Sequence, residues 1–231
     1  MLSPDEWEIL RLSLKVSLAA TVLSLPPAFA LAYLLGRRRF PGKALIDGLV
    51  HLPLVLPPVV IGWLLLLMFG RHGPVGWWLE AWFGVSVAFR WTGAAIAAAV
   101  MALPLMVRAI RLSVEAVDKR LEGAARTLGA GPWRTFATVT LPLTRPGILA
   151  ALVLGFARAV GEFGATITFV SNIPGETRTL PLAIYGALQV PGSEPAVFRL
   201  ALVSVALSLA ALVLSERLAR THATGAPGHV L

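Results

Sequence analysis

Five long apolar segments constrain this chain more than any other feature of its sequence. A helix needs roughly 20 consecutive apolar residues to cross the hydrocarbon core of a bilayer, and the segments approach or exceed that length. At 57% hydrophobic and 14% charged residues, the 231-residue chain is also too apolar for a soluble domain. We therefore predict an all-α, multi-pass membrane protein with about five transmembrane helices, near residues 12–35, 45–69, 92–110, 147–170 and 197–218.

Basic residues concentrate on alternate connections between these segments. Thirteen of the 20 Lys and Arg residues lie within residues 37–43, 108–145 and 217–231. The positive-inside rule then places the N-terminus outside the cell (inner or plasma) membrane and the C-terminus in the cytoplasm. Residues 1–220 would form one transmembrane domain and residues 221–231 a disordered cytoplasmic tail. Because the bases flank apolar segments, the net charge of +8 reflects topology and does not indicate nucleic acid.

The stretch from residue 121 to 142 is the longest one that a lipid core cannot hold. Its residues predict two short helices joined by a turn: Gly129 is placed to end the first helix in a left-handed cap. Gly131 and Pro132 suit the cap and first position of the second helix. Pro142 should mark a boundary, because proline biases the preceding residue away from helix. Such a hairpin is well suited to binding by a soluble partner protein.

Two membrane segments carry residues that are costly in lipid. Pro57 and Pro58 should kink or break the second segment, and broken helices are tolerated where they line a cavity or are covered by protein. In the fourth segment Arg158 and Glu162 are four residues apart, so they share a helix face and can pair. Intramembrane charges normally face a bundle interior or water. A kinked packing helix and a structural ion pair are the respective alternatives.

The remaining connections give weaker signals. Ser3 is placed to cap the first helix, with acidic residues in its first turn. Trp77, Trp78 and Trp82 indicate a short interfacial helix with an aromatic belt, or else a landing surface for a partner. Glycines around the Arg158–Glu162 pair indicate close packing or a local break in the fourth segment. In the loop that follows, residues 179–189 come after a turn and are predicted to form a short amphipathic element. The polar side chains of that outside loop complete the pathway candidates: Pro57, Pro58, Arg158, Glu162, Asn172, Thr177 and Arg178.

The sequence offers no sign of an enzyme. It contains no GxxxxGK[ST] phosphate loop, no nucleophile elbow and no cysteine, and its four histidines are scattered, so we expect no metal site and no cofactor in this chain.

The spacing of the polar stretch resembles a known motif. A pair of alanines, three further residues, Gly129, nine further residues and then Val-Thr-Leu-Pro at 139–142 resemble the EAA loop of ATP-binding-cassette (ABC) importer permeases. In that family the loop forms a coupling helix that docks into a groove on a separate ATPase. The family pattern has Glu directly before the alanines, where this chain has Gly123, with Glu122 one position earlier. An ordinary helical loop is the alternative.

Further segments narrow the resemblance. FPGKALID at 40–47, HLPLVLPPVVIG at 51–62 and GEFGATITFVSNIPGETRTLPLAIY at 161–185 resemble molybdate ABC-transporter permeases, and the likeness extends from about residue 7 to 220. GEFGA alone is shared with sulfate permeases, and the following NIPGETRTLP distinguishes the two. The resemblance implies a type I importer whose loop, residues 119–142, couples to the ATPase through Glu122, Ala124, Ala125, Gly129, Ala130, Trp133, Leu141 and Pro142.

The resemblance also implies the partners. These are a second copy of this chain, two ABC ATPase subunits that bind ATP and Mg²⁺, an extracytoplasmic molybdate-binding protein and the lipid bilayer; tungstate should pass as well. Small-residue faces at Gly155/Gly161 and Gly93/Ala97 are candidate dimer contacts. Tight binding inside the permease would slow release, which fits a single central Arg neutralised by Glu162.

Two other functions stay open. One is a sulfate or thiosulfate permease half, normally one of two different chains. The other is a self-contained secondary transporter or channel that needs no ATPase, against which the EAA spacing argues.

Overall fold

The computed structural model describes residues 2–223, and every regular element in that part of the chain is a helix. The fold class predicted from the sequence is confirmed. The elements are α1 (Pro4–Arg37), α2 (Lys43–Val55), α3 (Pro58–Phe69), α4 (Pro74–Phe83), α5 (Trp91–Ala116), α6 (Lys119–Thr127), α7 (Pro132–Thr135), a π-helical turn (Phe136–Thr140), α8 (Leu141–Leu143), α9 (Arg145–Val160), α10 (Gly164–Val170), α11 (Leu180–Leu188) and α12 (Glu194–Ala223).

Helix α1 begins where the sequence predicts. The Glu6 backbone N–H donates to Ser3 Oγ at 3.2 Å, and the Ser3 N–H donates to Glu6 Oε2 at 2.7 Å, which is a capping box. The Glu6 carboxylate is also paired with Arg199 of α12, with Nη2 2.8 Å from Oε1. The start of the first helix is therefore tied to the last.

Helix α5 lies at the centre of the bundle and packs along α1 and α9. Small buried residues on α5, such as Ala97, let the neighbouring helices approach closely. A Cβ on Gly155 of α9 would meet Met106 Sδ of α5 at 2.6 Å, and one on Gly93 would meet Val170 at 2.6 Å. The candidate dimer contacts at Gly93, Ala97 and Gly155 are therefore wrong, because packing within the chain already covers them, whereas Gly161 is exposed and stays a prediction.

Membrane-spanning length is reached in two ways. Among the described residues, α1, α5 and the Glu194–Ala211 part of α12 are long and apolar enough to cross a bilayer. Two bent pairs, α2 with α3 at 115° and residues 132–143 with α9 at 61°, raise the number of spans to at most five. Each of α2 and α3 alone is about 20 Å long or less, short of a core of about 30 Å.

Two predicted boundaries differ from the observed helices. The fourth predicted segment, residues 147–170, is two helices, because α9 ends at Val160 and α10 starts at Gly164. Both readings of its glycines are realised: Gly155 serves close packing, and Gly161 and Gly164 flank a break. The predicted tail starts at 221, yet α12 continues to Ala223, and the rest of that tail lies outside the described residues.

Candidate functional site

The hairpin between α5 and α9 turns at Gly129, as predicted. Gly129 has φ +84°, its N–H donates to the Arg126 carbonyl at 3.0 Å, and the Ala130 N–H donates to the Ala125 carbonyl at 3.0 Å. These two bonds form a Schellman motif, which satisfies the last carbonyls of α6. Pro132 then occupies the first turn of α7, as predicted. Four residues, 128–131, thus connect the two short helices through this turn.

The tip of this hairpin presents apolar side chains to its surroundings. Leu128 is 89% exposed and Trp133 is 84% exposed, and Leu121 is half exposed on the same hairpin. Exposed cations lie near them in the sequence, at Lys119, Arg120, Arg126 and Arg134. Large apolar groups ringed by charge are typical of a surface that a protein partner covers.

Glu122 does not contribute to this exposed tip. Its Oε1 accepts from Arg37 Nη2 of α1 at 2.8 Å and from Thr140 Oγ1 of the π-helical turn at 2.7 Å. The Glu122 side chain is 16% exposed and that of Arg37 is 8% exposed. The carboxylate therefore ties α6 to the end of α1 and to the π-helical turn. Gly123, at the position where the motif has Glu, is exposed with open space around it.

An aromatic cluster joins the hairpin tip to α1. The Trp133 ring meets the Phe136 ring edge-on, with centroids 6.2 Å apart. Phe136 in turn makes edge-on contacts with Phe29 at 5.8 Å and with Tyr33 at 5.6 Å, both on α1. Such pairs favour fixed relative orientations. The Phe136 ring therefore links Trp133 at the hairpin tip to the membrane helix α1.

The predicted boundary at Pro142 is wrong in position. Leu141 keeps helical dihedrals (φ −62°, ψ −45°), and its N–H donates to the Phe136 carbonyl five residues earlier. This π-helical turn ends at Thr140, two residues before Pro142, which itself cannot donate a helical hydrogen bond. The bend comes two residues later, at Thr144, before α9 begins. The other coupling candidates, Ala124, Ala125 and Ala130, lie on the hairpin itself.

The structure brings the two predicted breaks in the membrane segments together. Pro57 has extended dihedrals and Pro58 begins α3. A Cβ on Gly164, the first residue of α10, would meet Pro58 Cβ at 2.7 Å. A Cβ on Gly62 would overlap the Ala165 carbonyl oxygen. Helices α3 and α10 therefore start side by side, so that two discontinuous helices meet at one level. Discontinuous membrane helices are typical of transport sites.

Arg158 and Glu162 form the predicted ion pair beside this junction. Arg158 Nη1 lies 2.6 Å from Glu162 Oε2, and the arginine side chain is 26% exposed against 2% for the glutamate. Glu162 Oε1 also accepts from the Ala165 N–H at 2.9 Å, which caps α10. The pair thus fixes the bend between α9 and α10.

The loop after α10 holds the other three pathway candidates, and it is internally bonded. Arg178 Nε donates to Asn172 Oδ1 at 3.1 Å, and Asn172 Nδ2 donates to the Leu182 carbonyl at 3.0 Å. Thr177 is fully buried, donates to the Ser171 carbonyl and accepts from the Ile173 N–H. Thr177 therefore holds the turn, whereas Asn172 and Arg178 remain partly exposed.

The short elements of the flanking loops are also present. Helix α11 covers residues 180–188, close to the predicted 179–189. Trp77, Trp78 and Trp82 lie on α4, where their side chains are largely exposed. This arrangement is compatible with both an aromatic belt and a landing surface.

Comparison with known proteins identifies the family. Residues 9–222 match the model for "Binding-protein-dependent transport system inner membrane component". The chain belongs to this family. It is a membrane permease, and the resemblance seen in its motifs is confirmed.

Curated relatives of this permease cover nearly its whole length. It is 60% identical over 220 residues to the molybdenum transport system permease protein ModB of Escherichia coli (strain K12), a match that covers 95% of this chain and 96% of that protein. It is 58% identical to the ModB protein of Haemophilus influenzae over 93% of this chain and 94% of the relative.

Solved structures of ABC importers share the fold of this permease. A bacterial ABC transporter involved in the import of the acidic polysaccharide alginate superposes with a TM-score of 0.70 at 16% identity, covering 98% of this chain and 82% of that one. The MetNI methionine ABC transporter in inward-facing conformations gives 0.65 at 18% identity, covering 94% and 93%. These matches establish the type I importer permease fold. The family is one of transport permeases and not of enzymes.

Sequence reasoning missed several residues that hold the permease site together. Arg37 and Thr140, which lie 85 and 18 residues from Glu122 in the sequence, both donate hydrogen bonds to its carboxylate. Phe136 connects the hairpin to α1. Neither contact leaves a periodic signal, because side chains on different elements meet only through the tertiary fold. The π-helical turn before Pro142 was missed as well, although a proline inside an otherwise helical stretch is a usable signal.

Proposed function

We propose that this permease forms the translocation path of an ATP-driven importer for molybdate, and for tungstate as well. The observation that supports molybdate as the substrate is the 60% identity to the ModB protein of E. coli across 95% of the chain. At that coverage the NIPGETRTLP segment, which by resemblance distinguishes molybdate from sulfate permeases, lies within the matched region.

The hairpin is the proposed contact with a separate ATPase subunit, which would bind ATP and Mg²⁺. Leu128 and Trp133 at its tip are largely exposed in the described chain, and the Gly129 turn fixes the angle between its two helices. The cluster through Phe136 offers a route by which motion of the ATPase would reach α1. The basic residues around the tip support a cytoplasmic location for this loop and for the C-terminus.

The path itself is proposed to run between two copies of this chain. The described part of one copy has at most five spans and supplies the discontinuous pair α3 and α10 on one side only. Arg158 and Glu162 lie beside these two helices. Pro57 and Pro58 interrupt the second membrane segment at the start of α3. An extracytoplasmic binding protein would deliver the oxyanion from the side that carries the Asn172–Arg178 loop.

A sulfate permease is the second candidate, and one relative favours it. The chain is 37% identical to "Sulfate permease 2, chloroplastic" of Chlamydomonas reinhardtii, over 93% of this chain and 58% of that protein. The lower identity makes molybdate the stronger proposal. A self-contained transporter is disfavoured, since the family description requires a binding protein.

Reconstitution tests the proposal directly. The chain would be purified with its ATPase subunits, placed in liposomes and supplied with the binding protein. We expect uptake of radiolabelled molybdate that requires ATP hydrolysis and is competed by tungstate far better than by sulfate. Native mass spectrometry should show two copies of this chain per two ATPases. Uptake without the ATPase, or equal competition by sulfate together with a second type of permease chain, would contradict it.

A further inference from the structure

One face of α9 is left uncovered although the helix is packed on its other sides. Helices α1, α5 and α12 all pack against α9. Leu154, Ala157, Arg158 and Gly161, spaced i, i+3, i+4 and i+7, line a single helix face. Leu154, Ala157 and Gly161 are exposed in the single chain, and Arg158 is partly exposed. We call these four residues the open stripe.

The open stripe has a charge at its centre and space around it. A charged side chain within a membrane segment faces a bundle interior or water and not lipid, so the stripe is directed toward a water-accessible interior. Ala157 and Gly161 are small, and a Cβ built on Gly161 would meet only the Ala157 carbonyl oxygen, at 3.9 Å. An approaching ion would therefore find room beside the Arg158 guanidinium.

Glu162 lies on the protein side of this arginine. Both of its oxygens are occupied: Oε1 accepts from the Ala165 N–H at 2.9 Å, and Oε2 lies 2.6 Å from Arg158 Nη1. Its side chain is almost fully buried, and Arg158 has no second ion-pair partner among the described side chains. The stripe thus presents guanidinium N–H donors, and the buried Glu162 carboxylate balances their positive charge.

We propose that Arg158 contacts the oxyanion in transit, and that Glu162 is a positioning residue whose negative charge keeps this contact short-lived. The proposal rests on the proposed function, in which two copies place two open stripes along one path. A planar guanidinium donates paired hydrogen bonds that match the oxygens of a tetrahedral oxyanion. Two Arg158 guanidinium groups without counter-charges would bind a dianion tightly. With each one paired to Glu162, the two groups guide the dianion and release it.

The decisive variant is Glu162→Gln. Glutamine keeps an oxygen that can accept from the Ala165 N–H, so the cap of α10 is preserved while the negative charge is lost. The assay measures retention of radiolabelled molybdate by the purified permease–ATPase complex, without binding protein and without nucleotide. Wild type should retain none at micromolar concentrations. The variant should bind at least about tenfold more tightly and show slower uptake.

A matched control removes a buried carboxylate from another ion pair. Glu6 of α1 pairs with Arg199 of α12 and is not part of the open stripe on α9, and Glu6→Gln makes the same change of charge there. It should produce no retention. The double variant Arg158→Gln/Glu162→Gln, which removes both charges, should also retain nothing.

Several outcomes would overturn the proposal. They are an assembled Glu162→Gln complex that retains no more molybdate than wild type, retention by the double variant, or equal retention by Glu6→Gln. If Glu162→Gln does not assemble, Arg158→Lys decides: it keeps the charge but loses the planar fork, so uptake should fall about tenfold, and unchanged uptake refutes the role of the guanidinium. Wild-type complex that imports no molybdate would instead refute the proposed function, independently of these variants.

Discussion

Replacement of Gly129 by valine isolates a backbone effect at the hairpin turn. Gly129 has φ +84°, and a Cβ at this position would meet nothing within 4 Å. The substitution therefore costs conformational energy without a steric clash. A residue with a Cβ loses about 1–2 kcal/mol in the left-handed region, and β-branched valine belongs at the upper end of that range. The Schellman bonds from Gly129 and Ala130 should then be lost in a large share of molecules.

This cost translates into a defined loss of docking. About 1–2 kcal/mol changes a local equilibrium by a factor of about 5–30. Because the turn sets the angle between α6 and α7, the affinity for the ATPase should fall by that factor, while insertion into the membrane stays normal. Titration of the ATPase onto the permease in nanodiscs measures the affinity, and uptake relative to ATP hydrolysis measures the coupling.

The control for this experiment lies two residues away. Gly131 also has open space around it, but its φ is −66°, so Gly131→Val adds the same side chain without the left-handed penalty. Gly129→Asn should give an intermediate loss, since asparagine tolerates the left-handed region. Wild-type ATPase affinity in Gly129→Val, or an equal loss in Gly131→Val, would show that the turn does not set the docking geometry.

The other predictions concern contacts that tie elements together. Glu122→Ala strands a nearly buried Arg37 guanidinium and should destabilise the hairpin by about 3 kcal/mol, seen as faster proteolysis of the loop; Arg37→Ala/Glu122→Ala should cost less than the sum of the single variants, and simple additivity would refute the pairing. Phe136→Ala should leave ATPase binding within about twofold yet lower uptake per ATP hydrolysed, because it breaks the aromatic contact with α1; normal coupling would refute that route. Arg158→Ala and Glu162→Ala should each reduce assembly more than the double variant does, measured as dimer yield, and equal additive losses would contradict the ion pair.

Features with a local cause could be predicted from the sequence. The Ser3 cap and the Gly129 turn depend on residues within one or two turns of helix, and the structure confirms both. The i,i+4 spacing predicted the Arg158–Glu162 pair, and the pair forms although Glu162 lies just beyond the end of α9. The long apolar segments gave the fold class for the same reason, since the bilayer imposes a length on each helix independently of its neighbours.

Features that depend on tertiary contacts could not be predicted in this way. The Pro26–Pro27 pair stays within the continuous helix α1, whereas the Pro57–Pro58 pair interrupts its segment. The dipeptides are the same, and the difference lies in what packs against them: Pro58 lies against Gly164 at the start of α10. The dimer contacts predicted at Gly93 and Gly155 were wrong because a small residue indicates close approach without naming the partner.

Site-specific crosslinking from the hairpin tests the central claim, which is that a separate ATPase subunit binds this loop. The chain has no cysteine, so a single Thr127→Cys on α6, where Thr127 is exposed, can carry the reagent. The control is Trp82→Cys on α4, which is 73% exposed. We expect the ATPase to be trapped from position 127 and not from position 82, and we expect added nucleotide to alter the yield. An ATPase trapped equally from both positions, or from neither while uptake stays ATP-dependent, would contradict it.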